Sequence, residues 1–209
     1  MNKLHAQLKV MLTLQNNMNL KVHPQWQQQG YEWYRAIWIE CGELMDHQGY
    51  KWWKKQGAEV DQVQLEIVDI WHFGLSAMFD ERNIDQLTDD LLAEVSGCEP
   101  APQSVLLATE QLALKALDTK RLCVPSFLSL LAAAGMTLED LYTRYVGKNV
   151  LNFFRQDNGY KDGSYIKEWQ GREDNEHLVE LANGLDSSDE AFPDLLYKAL
   201  DERYKALSV

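Results

Sequence analysis

Two pairs of carboxylates, each pair three residues apart, sit inside otherwise apolar stretches, and any fold this chain adopts has to accommodate them. The first is Glu40 and Glu43, in Trp38-Ile39-Glu40-Cys41-Gly42-Glu43-Leu44-Met45; the second is Glu66 and Asp69, in Leu65-Glu66-Ile67-Val68-Asp69-Ile70-Trp71. On a helix, positions i and i+3 share a face, about 5–6 Å apart at Cβ, so each pair aims two carboxylates at one point. The apolar flanks predict that much of each helix is buried, and a buried carboxylate is costly unless it is paired or bound to a metal. Four converging carboxylates with few cations nearby predict a hard divalent ion, and more than one of them. A lone Glu-x-x-Glu is weak evidence. Two such pairs on neighbouring helices are far more specific than four solvated surface acids.

The rest of the chain also reads as helix. Leu4, Leu8, Val10, Met11, Leu12, Met18 and Leu20 recur at helical spacing and predict a helix over 2–20, broken by His23-Pro24. Further helices are expected over 31–47 (closed by Gly49), 59–81, 104–118, 125–135, 137–155 and 194–206, and residues 80–98 are acidic and amphipathic. Thr137 with Asp140 resembles a capping box with Asp in the Glu position. Glu99-Pro100-Ala101-Pro102 marks a boundary; Asn158-Gly159 and Asp162-Gly163 mark turns. No alternating strand pattern of useful length is present. The expectation is an all-α helical bundle, one catalytic domain over 1–209 with room for a smaller helical subdomain around 80–135.

Charge narrows the partners. The net charge of −12 argues against general nucleic-acid or membrane binding. Yet residues 142–172 hold six cations against three acids, a local +3 that leaves −15 for the remainder and suggests an anion site. Cys41, Cys98 and Cys123 are odd in number and lack CxxC spacing; with no leader at the N-terminus, this predicts a reducing, cytoplasmic compartment. No apolar run approaches the roughly 18 residues that span a bilayer.

Several other residues could carry chemistry. His72 lies three after Asp69, on the same face, and is either a buried histidine satisfied by an acid or a hydrogen-bonding partner of substrate or of a ligand carboxylate. Trp52 and Trp53 sit among Lys51, Lys54 and Lys55; at least one is expected in the core, and an exposed one could stack on a base or sugar. Gln15, Asn16 and Asn19 place amides late in the first helix, where they form a polar face or read the edge of a base. Residues 147–165 interleave Lys148, Asn149, Asn152, Arg155, Tyr160 and Lys161 around glycines, which favours a phosphate cradle over a solvated loop. Cys41 is most simply a small core residue.

Together these residues resemble the dimeric all-α dUTPase family, part of the all-α nucleoside triphosphate pyrophosphohydrolases. The resemblance runs from about residue 10 to 177. It is carried by Glu40-x-x-Glu43 with Asp46-His47-x-Gly49-Tyr50-Lys51-Trp52-Trp53-Lys54, by Glu66-x-x-Asp69-x-x-His72, and by Lys148-Asn149-x-Leu151-Asn152-x-Phe154-Arg155-Gln156-x-x-Gly159-Tyr160-Lys161. The resemblance implies that Glu40, Glu43, Glu66 and Asp69 hold two or more Mg²⁺ ions around a triphosphate, with Glu43 acting on the attacking water and Glu40 beside it. It implies that Trp52 stacks on the nucleotide, His72 contacts the deoxyribose, and Gln15 and Asn19 read uracil. Lys148, Asn152, Arg155, Tyr160, Lys161 and Lys167 would grip base, sugar or phosphates. The implied reaction takes dUTP, and also dUDP, to dUMP, in a homodimer whose subunit contacts complete the site.

Three rivals use the same residues differently. A dCTP-hydrolysing or broad house-cleaning pyrophosphohydrolase would keep the four carboxylates and change only the base pocket. A di-iron carboxylate protein needs a Glu-x-x-His on each of two helices. Asp69-x-x-His72 approximates one, but three after Glu43 stands Asp46 rather than histidine. A catalytically silent helical scaffold would have no need of the four carboxylates beside the cationic segment.

Overall fold

Amphipathic runs with few prolines become helices wherever one apolar stripe can find another, and that rule accounts for nearly the whole chain. The computed structural model describes residues 3–185 and 191–206. Helix α1 (Lys3–Val22) buries Leu8, Met11, Leu12 and Met18, and with them the amides of Gln7, Gln15 and Asn19. A 3-10 turn (Trp26–Gln29) follows Pro24 and leads into α2 (Trp33–Gln48), which buries the stripe Ile37, Cys41 and Leu44. Gly49 ends α2 in the left-handed region at φ 81°, as the sequence predicts, and its N–H donates to the Asp46 carbonyl at 3.1 Å.

Helix α3 (Val60–Met78) is the central element, with eleven of its residues buried, including Ile67, Ile70, Trp71 and Leu75. A Cβ at Gly74 would run into the Leu122 side chain, so glycine is what lets that residue lie flat against α3. Helices α4 (Ile84–Ser96), α5 (Val105–Thr119) and α6 (Val124–Ala133) follow. Asn83 and Gln86 close a reciprocal capping box at the start of α4. Helix α7 (Leu138–Asp157) opens on the predicted Thr137–Asp140 box: the Asp140 N–H donates to Thr137 Oγ1 at 3.1 Å, and the Thr137 N–H donates back to Asp140 Oδ2 at 2.9 Å.

Beyond α7 the chain departs from expectation in two places. A short antiparallel hairpin, β1 (Glu168–Trp169) with β2 (Arg172–Glu173), stands where no strand was predicted. Helix α8 (Asp174–Asn183) was not predicted either; it precedes α9 (Phe192–Lys205), which was. The fold is all-α apart from that hairpin.

The chain divides into two compact units, Met1–Tyr142 and Thr143–Val209, with the boundary inside α7. In the first, α2 packs on α3 and α5, α1 on α4 and α3, and α6 on α5 and α4. Trp71 stacks on Phe127 at 4.7 Å and 23° between planes. In the second, α8 packs on α9 and β2 around Tyr145, Leu151, Phe154, Trp169, Leu178 and Leu200. Among the described residues, no single helix is long and apolar enough to cross a membrane.

Candidate active site

The packing of α2 on α3 brings their carboxylates face to face. Glu40 is half-buried, Glu43 exposed and Glu66 buried, and each offers one oxygen so that the three oxygens lie within 4.8 Å of one another. Asp69, half-buried one turn further along α3, stands outside that trio but is close enough to act on Glu40 through its charge. Burial, then the charge of Asp69, then a hydrogen bond and charge from Glu66, push the Glu40 carboxyl from the ordinary 4.5 to about 9. Carboxylates this close cannot all ionise side by side. They share a proton or they share a cation. An all-oxygen donor set on two rigid helices fits a hard divalent ion in place of the proton.

Two neighbours of this cluster are informative. The Cys41 thiol is pushed up to about 12, first by burial and then by Glu40. It is therefore a packed core thiol with no nucleophilic role, as its sequence context suggested. His47 bridges two acids: Nδ1 lies 2.7 Å from Glu59 Oε2, and Nε2 lies 3.6 Å from Glu66 Oε1. The sequence reading quoted His47 but gave it no role. The signal was available, because His47 is four residues after Glu43 and seven after Glu40, on the same face of α2.

The expectation that the apolar flanks bury much of each helix does not hold for Trp38 and Ile39 beside the first pair. Trp38 is 48% and Ile39 51% exposed. The core-facing stripe of α2 is Ile37, Cys41 and Leu44, and residues one and two steps past Ile37 fall outside it. The expectation that one of Trp52 and Trp53 is in the core is overturned as well, since they are 89% and 60% exposed. Both follow Gly49 in a loop where each ring has the other for company, edge-on at 5.5 Å. The loop is tied down by Lys51, which pairs with Asp46 and whose N–H donates to Gln56 Oε1 at 3.1 Å. A cleft of about 510 Å³ opens here, lined by Ile39, Glu43, Asp46, His47, Tyr50 and Lys51.

Three residues beyond Asp69 along α3, the amides of α1 meet His72. Gln15 Oε1 lies 2.7 Å from His72 Nδ1, and Gln15 Nε2 donates to Asn19 Oδ1 at 3.1 Å. Asn19 Nδ2 donates to Ser76 Oγ at 3.0 Å. All four residues are buried. The structure thus joins Gln15, Asn19 and His72, which the sequence reading named separately, and adds Ser76, which it did not name. Asn16 points elsewhere, accepting from Trp26 Nε1 at 3.3 Å.

The cations of the second unit form their own network. Arg155 is buried and makes a two-pronged ion pair with Asp174, Nε and Nη2 each 2.8 Å from a carboxylate oxygen. Tyr165 Oη donates to the same carboxylate at 2.8 Å, and Arg155 Nη1 donates to Asn152 Oδ1 at 3.2 Å. Burial alone would raise the Asp174 carboxyl; the Arg155 guanidinium and the Tyr165 hydroxyl outweigh it and hold it below the ordinary 3.8. Lys148 is buried too, and its Nζ donates to Asn175 Oδ1 at 3.0 Å. Lys167 pairs with Glu173 at 3.3 Å, Tyr160 and Lys161 are exposed, and Arg155 lies over the Tyr160 ring at 5.7 Å. The local +3 is thus largely offset by Glu173 and Asp174, which reduce it to +1 over 142–174.

Fold and site define a class: an all-α enzyme whose central helices gather acids for a divalent cation. A family model described as dUTPase matches residues 7–160. The chain belongs to the dUTPase family, and hydrolysis of dUTP is its activity. No curated protein matches the chain.

Proposed function

We propose that the chain hydrolyses dUTP to dUMP and pyrophosphate with Mg²⁺, accepts dUDP as well, and so limits uracil entry into DNA while supplying dUMP. The observation that carries the metal dependence is the trio Glu40, Glu43 and Glu66, three carboxylates whose oxygens lie within 4.8 Å of one another on two packed helices. Glu40, Glu43, Glu66 and Asp69 would hold the ions. When bound, Mg²⁺ neutralises the triphosphate and acidifies water. Glu43, the exposed member of the trio, orients the attacking water and takes its proton. That water attacks phosphorus, the anhydride breaks, and pyrophosphate leaves.

Trp52 supplies an exposed ring to stack on the nucleotide, and Gln15, Asn19 and His72 meet base and sugar. Among the later cations, Lys161 and Lys167 are the exposed ones offered to phosphate. Lys148 is engaged with Asn175 and Arg155 with Asp174, and Arg155 is suited to fix Asn152 and Tyr160. Exposed Trp38 and Ile39 on α2 support a homodimer, and three free cysteines suit a reducing, cytoplasmic setting.

The test is pyrophosphate release from dUTP with Mg²⁺, beside dCTP, dTTP and UTP, with Glu43→Gln as control. Turnover of dUTP alone, reduced by about 10²-fold or more in the variant, is the expected result. Turnover of dCTP or of several nucleotides would keep the metal chemistry and replace the base assignment. No release of pyrophosphate from any nucleotide would overturn the proposal.

A further inference from the structure

The contacts around His72 close into a ring. His72 Nδ1 meets Gln15 Oε1, Gln15 Nε2 donates to Asn19, Asn19 Nδ2 donates to Ser76 Oγ, and Ser76 Oγ donates back to the His72 backbone carbonyl at 3.0 Å. Two amides and an imidazole could each be turned round in such a ring, because oxygen and nitrogen exchange roles on rotation and the imidazole has two tautomers. One member has no such freedom: a backbone carbonyl only accepts. Ser76 has a single hydroxyl hydrogen and spends it on that carbonyl, so it meets Asn19 as an acceptor. Asn19 must then present nitrogen to Ser76 and oxygen to Gln15. Gln15 must present nitrogen to Asn19 and oxygen to His72. His72 must therefore carry its hydrogen on Nδ1.

That direction decides what the ring shows to a ligand. The Asn19 oxygen already accepts from Gln15, while its amide nitrogen carries a second hydrogen beyond the one given to Ser76. On the Ser76 side Asn19 therefore shows N–H, while its oxygen, with one lone pair left, stands on the Gln15 side; reversal of the ring would exchange the two. Uracil presents a carbonyl at ring position 4, which accepts; cytosine presents an amino group there, which donates. A ring running the other way would offer oxygen and favour the amino group. We propose that Ser76 is a positioning residue that sets the direction of the Gln15–Asn19–His72 ring and, through it, the preference for uracil over cytosine. This rests on the reading above that Gln15 and Asn19 meet the base.

Ser76 is a buried member of the ring and would act on the base only through Asn19. Ser76→Ala removes the hydroxyl and nothing else, leaving the Asn19 amide free to rotate. Ser76→Thr keeps a hydroxyl that can back-bond to the carbonyl four residues earlier on a helix.

The experiment has two arms. In the first, long-range ¹H–¹⁵N spectra of histidine-labelled protein report the His72 tautomer. The wild type and Ser76→Thr should show Nδ1–H, and Ser76→Ala a mixture. In the second, kcat/KM is measured for dUTP and dCTP in all three. The dUTP:dCTP ratio should fall about tenfold to hundredfold in Ser76→Ala and recover in Ser76→Thr, the scale set by one misdirected buried hydrogen bond. A purely structural role for Ser76 would lower both activities and leave their ratio alone. An unchanged ratio in folded Ser76→Ala, or an Nε2–H tautomer of His72 in the wild type, would overturn the proposal. The wild-type tautomer needs no variant, so it decides even if Ser76→Ala does not fold. Absence of dUTP turnover in the wild type would instead strike the assignment of function, with the ring's direction still decided by the spectra.

Discussion

Without a cation, burial and then the charge of Asp69 push the Glu40 carboxyl up to about 9, because a second or third bare carboxylate is untenable there. The sign of the consequence follows from linkage. Between the ordinary 4.5 and the folded value of about 9, the native chain keeps a proton that the unfolded chain has released. The metal-free protein therefore loses stability steadily as pH rises across that window, and a cation that displaces the proton stabilises it more at pH 9 than at pH 5. Melting temperatures at several pH values, with and without Mg²⁺, check this. Glu40→Gln should lack the pH trend that distinguishes the wild type, and identical trends in the two proteins would refute the assignment. Trp52 makes a contrasting case. At 89% exposure it contributes almost nothing to the core, so Trp52→Ala should change stability by less than about 0.5 kcal/mol while raising KM for dUTP. A loss of several kcal/mol in urea unfolding would show the ring to be packed. The carboxylates were legible in the sequence because i, i+3 spacing survives any helical fold. The exposure of Trp52 was not, because a Trp-Trp pair in a loop carries no periodicity from which to read a buried face.

Among the elements, the seven helices with clear apolar periodicity were legible, most to within a few residues, while α8 and the hairpin were not. Helix α8 is ten residues long, acidic in its first turn and only three of its side chains are buried, so periodicity barely registers. The readable signal was its reciprocal cap, Glu173 with Glu176. The hairpin turns on Gln170 and Gly171, both at positive φ (52° and 79°). That geometry usually announces itself as Asn-Gly or Asp-Gly, and glutamine in the first position hides it. Asp174, the first residue of α8, is where this element matters most, since its buried carboxylate holds Arg155 and Tyr165. Asp174→Asn leaves a buried guanidinium without its counter-charge and should cost about 3–5 kcal/mol, read from urea unfolding by the fluorescence of nearby Trp169. The Asp174 carboxyl sits below the ordinary 3.8, so its contribution is present in full above that value and is lost as pH falls through the lower folded one. The wild type should therefore lose its advantage over Asp174→Asn only in strongly acidic solution. An advantage that vanished near pH 6 would contradict the pairing.

At the scale of the whole molecule, the −12 charge and the exposed aromatic surface pull in opposite directions. Mutual repulsion keeps acidic chains apart, yet α2 leaves Trp38 and Ile39 in solvent beside the same helix's Glu40 and Glu43. A side chain pair of that size, half exposed on the outer face of a helix whose inner face is fully packed, is better explained by a partner than by chance scatter. Because one copy offers the same face as another, a two-fold pairing through α2 closes on itself and buries both patches at once. Such a dimer would also bring each copy's Glu43 close to the joined surface, coupling assembly to the site. The expected outcome is sedimentation of the wild type at twice the 24.1 kDa of the chain. Ile39→Glu should shift it to the single-chain mass, because two like charges, a new one from each copy, would then face each other across a surface chosen for apolar contact. Far-ultraviolet circular dichroism should stay unchanged in that variant, since Ile39 lies off the buried stripe of α2. A wild type that sediments as a single chain at micromolar concentration, or a dimer indifferent to Ile39→Glu, would remove α2 as the interface.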